Sequence, residues 1–362
     1  MMIAVFALAT AMAIKVEGTV TVSPSVRVLK THAQVREGET LSLPKQSSVV
    51  LLCSSDRWIS ITGPRNWLLD AKACEVGTPV TAGSYRELAA ENGRMRSLKT
   101  GVAIEIETRA DAQEEFVPIL LTPRNTAVVN VRPAVSWTQV PRATEYAIEW
   151  LGDGATTTRI AADKAQCTAG VCTAPYPADG LPLKTGTPAF ISVACRIGIA
   201  SPWRREKDAA EVRLLDSRAQ ETLRHRLDAI NAVPADNDVR NLLVAGAYAH
   251  SGVLHEAWQR YSKSAAPAAW VTAGDLALQM NMPAIAAREY TRASDSKSPT
   301  SVRAAAAFGL GRVTLARRRY EEAQRHFEFA RQRFASLHLA NEEAEARAGL
   351  EKATRMLERK SR

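Results

Sequence analysis

Aromatic residues are scarce in this 362-residue chain, only 6% of the total, and no cysteine occurs after Cys195. The scarcity of rings excludes a stacking platform for single-stranded nucleic acid. The cysteine boundary separates two halves of different character. Several catalytic signatures are missing as well. There is no His-Glu-x-x-His, no Gly-x-Ser-x-Gly elbow, no P-loop and no dinucleotide glycine pattern. No Cys-x-x-Cys or Cys/His pair at metal spacing occurs, so neither zinc nor any other metal or cofactor is expected. Carboxylate pairs such as Glu321-Glu322 and Glu342-Glu343 fall on exposed helix faces. They are solvated charges there, not an acid/base pair in a cleft. Cys195 is the least remote nucleophile, yet Val193-Ala194-Cys195-Arg196 reads as the interior of a strand, where a buried thiol is inert. The expectation is a non-catalytic protein.

What is present is ordinary in amount. Apolar residues make up 46% and charged residues 23%, enough for two or three folded domains. The formal charge is +9, with the excess dispersed and Arg317-Arg318-Arg319 the only basic triplet. That dispersion reads as solvated helix surface, without nucleic-acid binding. Residues 1 to 14 form one uncharged apolar run, short of the roughly 20 residues that span a membrane. The run resembles the core of a secretory signal, with Ala11-Met12-Ala13 as a small-x-small processing site, although the usual basic start is missing. The competing reading is a buried first strand. Export to the periplasm or cell envelope is expected from the signal pattern, with membrane association only through this segment; a cytoplasmic location follows if the run is not a signal. The cysteines fit export: Cys53 with Cys74 and Cys167 with Cys172 make two bridges, leaving Cys195 as a buried thiol.

Residues 16 to 122 read as short strands cut by Gly and Pro, a small barrel or sandwich. Val20, Val22, Val26 and Val28 alternate with polar residues, as along a half-buried strand, and residues 84 to 98 read as a short helix or loop. The layout of Gly18-Thr19-Val20 followed by Glu37-Gly38-Glu39-Thr40-Leu41 resembles the FecR-like β domain of bacterial envelope proteins. Residues 127 to 215 form a second β region. Tyr146, Ile148 and Trp150 share one face of a period-two strand and fill a core, and Gly152-Asp153-Gly154 marks a hairpin. Trp137, Pro141, Ala143, Tyr146, Ser201 and Trp203 stand in the order found in fibronectin type III-like domains, which this region resembles.

From Asp216 the texture is helical. A linker helix, capped by Asp216 or Ser217, runs to Ile230 within residues 216 to 235. Residues 236 to 362 then repeat. A small residue precedes an alanine by twelve positions, and an aromatic follows four later, three times over: Ala245, Ala257, Tyr261; Gly274, Ala286, Tyr290; Gly311, Ala323, Phe327. The pattern resembles the tetratricopeptide family, whose helical hairpin repeats at about 34 residues. Here the small residues are separated by 29 and then 37 positions (274 − 245, 311 − 274). Gly252, Asn281 and Arg318 stand at the turns inside the hairpins, and a polar helix from about Asn341 to Arg359 ends the stack.

The fold class expected is therefore β followed by α: a small barrel or sandwich, a fibronectin III-like sandwich and a C-terminal α-solenoid. The resemblance implies a concave face built from the first helix of each hairpin, where a protein or peptide partner docks. The positions on that face are Leu242, Ala249 and His250, then Asp275, Leu278 and Gln279, then Phe308, Arg312 and Leu315. Of these, His250, Asp275, Gln279, Phe308 and Arg312 are the candidate partner-binding residues. A FecR-like role in envelope signalling, and cell-wall or carbohydrate binding, are the alternatives. The first would need a membrane span and a cytoplasmic segment, the second an exposed aromatic strip.

Overall fold

A computed structural model describes residues 10–30, 33–53, 57–70, 73, 78–79, 116–151, 155–198, 200–232, 235 and 237–361. Among these, mostly antiparallel sheets are followed by a region of eight helices. The first nine strands are β1 (Thr10–Glu17), β2 (Thr21–Ser23), β3 (Arg27–Val28), β4 (Gln34–Arg36), β5 (Thr40–Leu43), β6 (Ser48–Cys53), β7 (Arg57–Thr62), β8 (Arg65–Leu68) and β9 (Thr78–Pro79). They form two sheets, in the orders β4-β1-β6-β7-β9 and β3-β2-β5-β8. One core lies between them, with Ala11, Ala13, Val49 and Leu51 from the first sheet and Val22, Leu41 and Leu43 from the second.

The residues of the expected processing site lie in a strand. Ala11, Met12 and Ala13 are all buried in β1, which is hydrogen-bonded on both sides by β4 and β6. The residues are small because Ala11 and Ala13 face the inter-sheet core, while Met12 points the other way. The valine alternation also breaks. Val20 and Val22 are buried, but the chain turns over Pro24–Val26, leaving Val26 89% and Val28 53% exposed. Residues 84 to 98 lie outside the described residues.

The second β unit holds β10 (Leu120–Thr122), β11 (Thr126–Val128), β12 (Val135–Thr138), β13 (Glu145–Leu151), β14 (Thr156–Ala161), β15 (Gln166–Thr168), β16 (Val171–Ala174), β17 (Ala189–Arg196), β18 (Arg204–Arg205) and β19 (Ala210–Leu214). One sheet runs β10-β12-β16-β15 and the other β11-β19-β17-β13-β14, with β18 also on β17. Strands β11 and β19 pair in parallel. The two sheets enclose Trp137, Tyr146, Ile148, Trp150, Val193 and Val212, so the expected core strand is in place. The Tyr146 hydroxyl accepts the Val140 N–H at 2.9 Å, which ties the strand to the corner before it. Leu120, 1% exposed, belongs to this core. The unit therefore begins before residue 127, and the expected boundary at 122 falls inside it.

The helices are α1 (Ser217–Asn231), α2 (Asn237–His250), α3 (Leu254–Lys263), α4 (Pro267–Gln279), α5 (Pro283–Ala293), α6 (Thr300–Ala316), α7 (Tyr320–Ser336) and α8 (Ala340–Ser361). Asp216 caps α1 by accepting the Ala219 N–H at 2.7 Å. From α2 onward each helix packs on the next, and α4 also meets α6, as α6 meets α8. The turns after α2, α4, α6 and α7 share one geometry. Gly252, Asn281, Arg318 and His338 have φ of 78°, 56°, 57° and 57°. At each, an N–H reaches back five residues, as from Val253 to Tyr248 or Met282 to Ala277. This is a Schellman-type helix end, which needs a left-handed residue.

Two of the repeated aromatics, Tyr290 and Phe327, each fill a slot made by two glycines. A Cβ added at Gly274 or Gly309 would stand 2.5 or 2.4 Å from the Tyr290 ring, and one at Gly311 or Gly349 2.8 or 2.6 Å from Phe327. The alternating glycine and ring let α4, α5 and α6 approach closely, and likewise α6, α7 and α8. Gly309→Ala should therefore lower stability by roughly 2–3 kcal/mol, as overpacking of a rigid ring does. Arg318→Gly should raise it by about 1 kcal/mol by relieving the left-handed backbone. Urea unfolding midpoints check both signs.

Candidate functional site

The expected docking face is partly folded inward. Leu242 and Leu278 are fully buried, and Asp275 is 5% exposed. Along α4 the cause is its direct contact with α6, which closes the face there. Asp275 serves the interior: its Oδ1 accepts the Tyr290 hydroxyl at 2.7 Å and lies 3.5 Å from Arg312 Nη1. Arg312, on α6, keeps a side-chain exposure of 28%. Phe308, one turn earlier, is half-buried and meets the Phe327 ring edge-on at 5.7 Å. Thus Asp275 and Arg312 come together. His250 and Gln279 do not join them; each is the half-buried last residue of its helix, α2 and α4.

A second cluster joins the β sandwich to the helices. The Arg124 side chain, 6% exposed, donates from Nε to the Met280 carbonyl at 2.8 Å and from Nη2 to that of Asn281 at 3.1 Å. Its Nη1 pairs with Glu206 at 2.5 Å. A guanidinium on the last carbonyls of α4 satisfies groups that the helix leaves open and opposes the negative end of its dipole. Asn125 adds its amide to Met280 at 3.4 Å and takes the Glu211 N–H at 3.0 Å. Two residues on, Thr126 Oγ1 accepts the Leu254 N–H at 2.8 Å, and the Ala127 N–H donates to the Gly252 carbonyl at 2.9 Å. Helix α3 has Val253 at its N-cap and no side-chain cap of its own. Thr126 supplies that cap from the sandwich. Sequence reasoning passed over these residues because they fall in the gap left between 122 and 127. The signal available was a helix that opens after Gly-Val with no Ser, Thr, Asp or Asn to cap it.

The first β unit also touches the array. Met12 and Val50, on the outer face of their sheet, share a core with Leu223 and Ile230 of α1 and with the array interior. That explains why Val49-Val50-Leu51 is apolar at consecutive positions: the strand is buried on both faces.

Other chemistry is sparse. Cys167 and Cys172 are disulfide-bonded across the β15–β16 hairpin. Cys53 is also disulfide-bonded, while Cys74 lies outside the described residues. Cys195 is a buried free thiol. It donates to the Phe116 carbonyl at 3.5 Å, and burial pushes its pKa up, so the unreactive protonated form is favoured. Among the described residues, no three His, Cys, Asp or Glu side chains gather to hold a metal, and no helix is long and apolar enough to cross a membrane. No protein-family model matches the chain, and no curated protein matches it.

Replacing Arg124 by Met leaves Glu206 without its partner and α4 without its cap. It should cost about 3–5 kcal/mol, as breaking a buried pair does. Thr126→Val should cost about 1 kcal/mol through the lost cap. Circular dichroism and tryptophan fluorescence, followed together in urea, should separate into two transitions for Arg124→Met and stay superimposed for the wild type. In native protein, Cys195 should resist alkylation until denaturant is added; labelling without denaturant would contradict its burial.

Proposed function

We propose that this chain is a non-catalytic protein-binding scaffold of the bacterial cell envelope, made of a FecR-like unit, a fibronectin type III-like sandwich and a tetratricopeptide-like array. The observation that carries the reading is the repeated slot of glycine, aromatic and glycine, around Tyr290 and again around Phe327. A helical stack that repeats one packing solution offers a long continuous surface, and such arrays bind other proteins on it. The four left-handed turns support the same reading. In the sandwich, the strand order and the bond from Val140 to Tyr146 support the fibronectin-like assignment. The disulfide Cys167–Cys172 is compatible with export.

The docking surface in this reading runs along α6 toward α8. Phe308, Arg312 and Leu315 are half-exposed there. Arg312 contributes a cation already steadied by Asp275, suited to an acidic side chain or carboxylate of the partner. Phe308 and Leu315 contribute apolar area beside it.

A photo-crosslinking amino acid at position 312, expressed in cells of the source organism, should yield one discrete adduct. The same group at Arg288, exposed on α5, should yield none. Equal labelling at both positions, or none at 312, would defeat this assignment of the surface.

A further inference from the structure

We propose that the junction between sandwich and array is an acid-sensitive latch, with His255 as its trigger. His255 follows Leu254, the residue whose N–H is held by Thr126, so it occupies the first turn of the helix that the sandwich caps. Its side chain belongs to a residue only 7% exposed, and its ring packs against Trp258 at 5.6 Å between centroids. Nε2 lies 2.9 Å from the Gln259 amide, and Nδ1 is buried without a hydrogen-bond partner. Protonation puts an N–H on both ring nitrogens. With the Gln259 amide donating to Nε2, the neutral ring already carries its proton on Nδ1. Protonation adds the N–H at Nε2, which the turned-over amide serves, and brings a positive charge into the buried site while Nδ1–H stays unmet. A buried cation with an unmet donor is costly, and the nearest structure that can give way is the turn clasped by Thr126 and Ala127.

The surroundings offer no counter-charge. On α2 the ionisable side chains are Asp238, Arg240, Tyr248 and His250, on α4 Asp275 alone, and on β11 there are none. Arg240 is tied to Asn237 and the Ala235 carbonyl, Asp275 to Tyr290 and Arg312, and Arg124 to Glu206. On α3 itself, Arg260 bonds to Asn241 and lies over Tyr248. Burial alone pulls His255 down to about 4 from its ordinary 6.5. Glu256, its neighbour, is raised by burial and so titrates in the opposite sense.

The sign follows from linkage. The closed junction disfavours the imidazolium, whereas the open one lets it form at its ordinary pKa. The His255 contribution to closure is therefore complete above pH 6.5 and weakens by at most about tenfold per pH unit down to about pH 4. Glu256 works against this loss, and its residual effect appears once His255 is removed.

Hydrogen exchange of the full chain tests the proposal at the amides of Ala127 and Leu254, with rates corrected for the chemical effect of pH. Protection there should fall by up to about tenfold per pH unit between pH 6.5 and pH 4, less where Glu256 titrates, while amides in α6 to α8 keep theirs. In His255→Gln the fall should vanish or reverse. A flat profile in the wild type, the same fall in His255→Gln, or loss spread equally over α6 to α8 would overturn the latch. If His255→Gln does not fold, His255→Phe fills the space with an untitratable ring and carries the same expectation. Thr126→Val should start with low protection at neutral pH.

Discussion

Arg124 carries a full positive charge to a place where it is nearly sealed from water, and the arrangement of the modules follows from the need to satisfy it. A desolvated guanidinium is tolerated only where its donors are met. The sandwich supplies one partner, Glu206, together with the Leu120 carbonyl at 3.3 Å. The array supplies two more, at Met280 and Asn281. Neither module completes the set alone. The same strip of chain also closes α3 through Thr126. The sandwich thus finishes one helix at its start and another at its end, and separating the modules exposes unmet groups on both sides at once.

Inside the array a different economy holds. Aromatics are few, and each of the repeated ones works at two interfaces. Tyr290 is pressed between Gly274 on the helix before it and Gly309 on the helix after it, and its hydroxyl is passed to Asp275. Trp270 lies under Arg292 at 4.0 Å and gives its indole N–H to Ser264 at 2.8 Å. Arg292 in turn reaches the Ser262 carbonyl at 2.8 Å, beside the end of α3. Ring faces and helix-end carbonyls are satisfied by the neighbouring hairpin, which is how a stack with little aromatic mass stays cohesive.

Residue spacing made the local elements legible. Tyr146, Ile148 and Trp150 were readable as a core face because side chains alternate along a strand. Gly252, Asn281 and Arg318 were readable as one turn because a helix end demands a left-handed residue wherever the chain reverses. The junction was not readable in this way. Arg124 and Thr126 have no periodicity, and their partners lie 156 and 128 residues further on. Met12 and Val50 failed for a related reason: pattern shows that a face is apolar without showing which module covers it. The docking face was only half legible. Register put Asp275 and Arg312 on one face, and the two do meet at 3.5 Å, but whether α4 and α6 stand apart or touch depends on the glycines opposite Tyr290.

These contacts also divide the array by use. Its first hairpins are occupied by the chain's own β units, through Met12 and Val50 on one side and through Arg124 to Ala127 on the other. Helices α2, α3 and α4 are therefore fastened to the sandwich at their ends. On α6, Phe308, Arg312 and Leu315 are half-exposed, and the last helix is polar. Holding the modules in register thus falls to the helices nearest the sandwich, through polar groups at their ends.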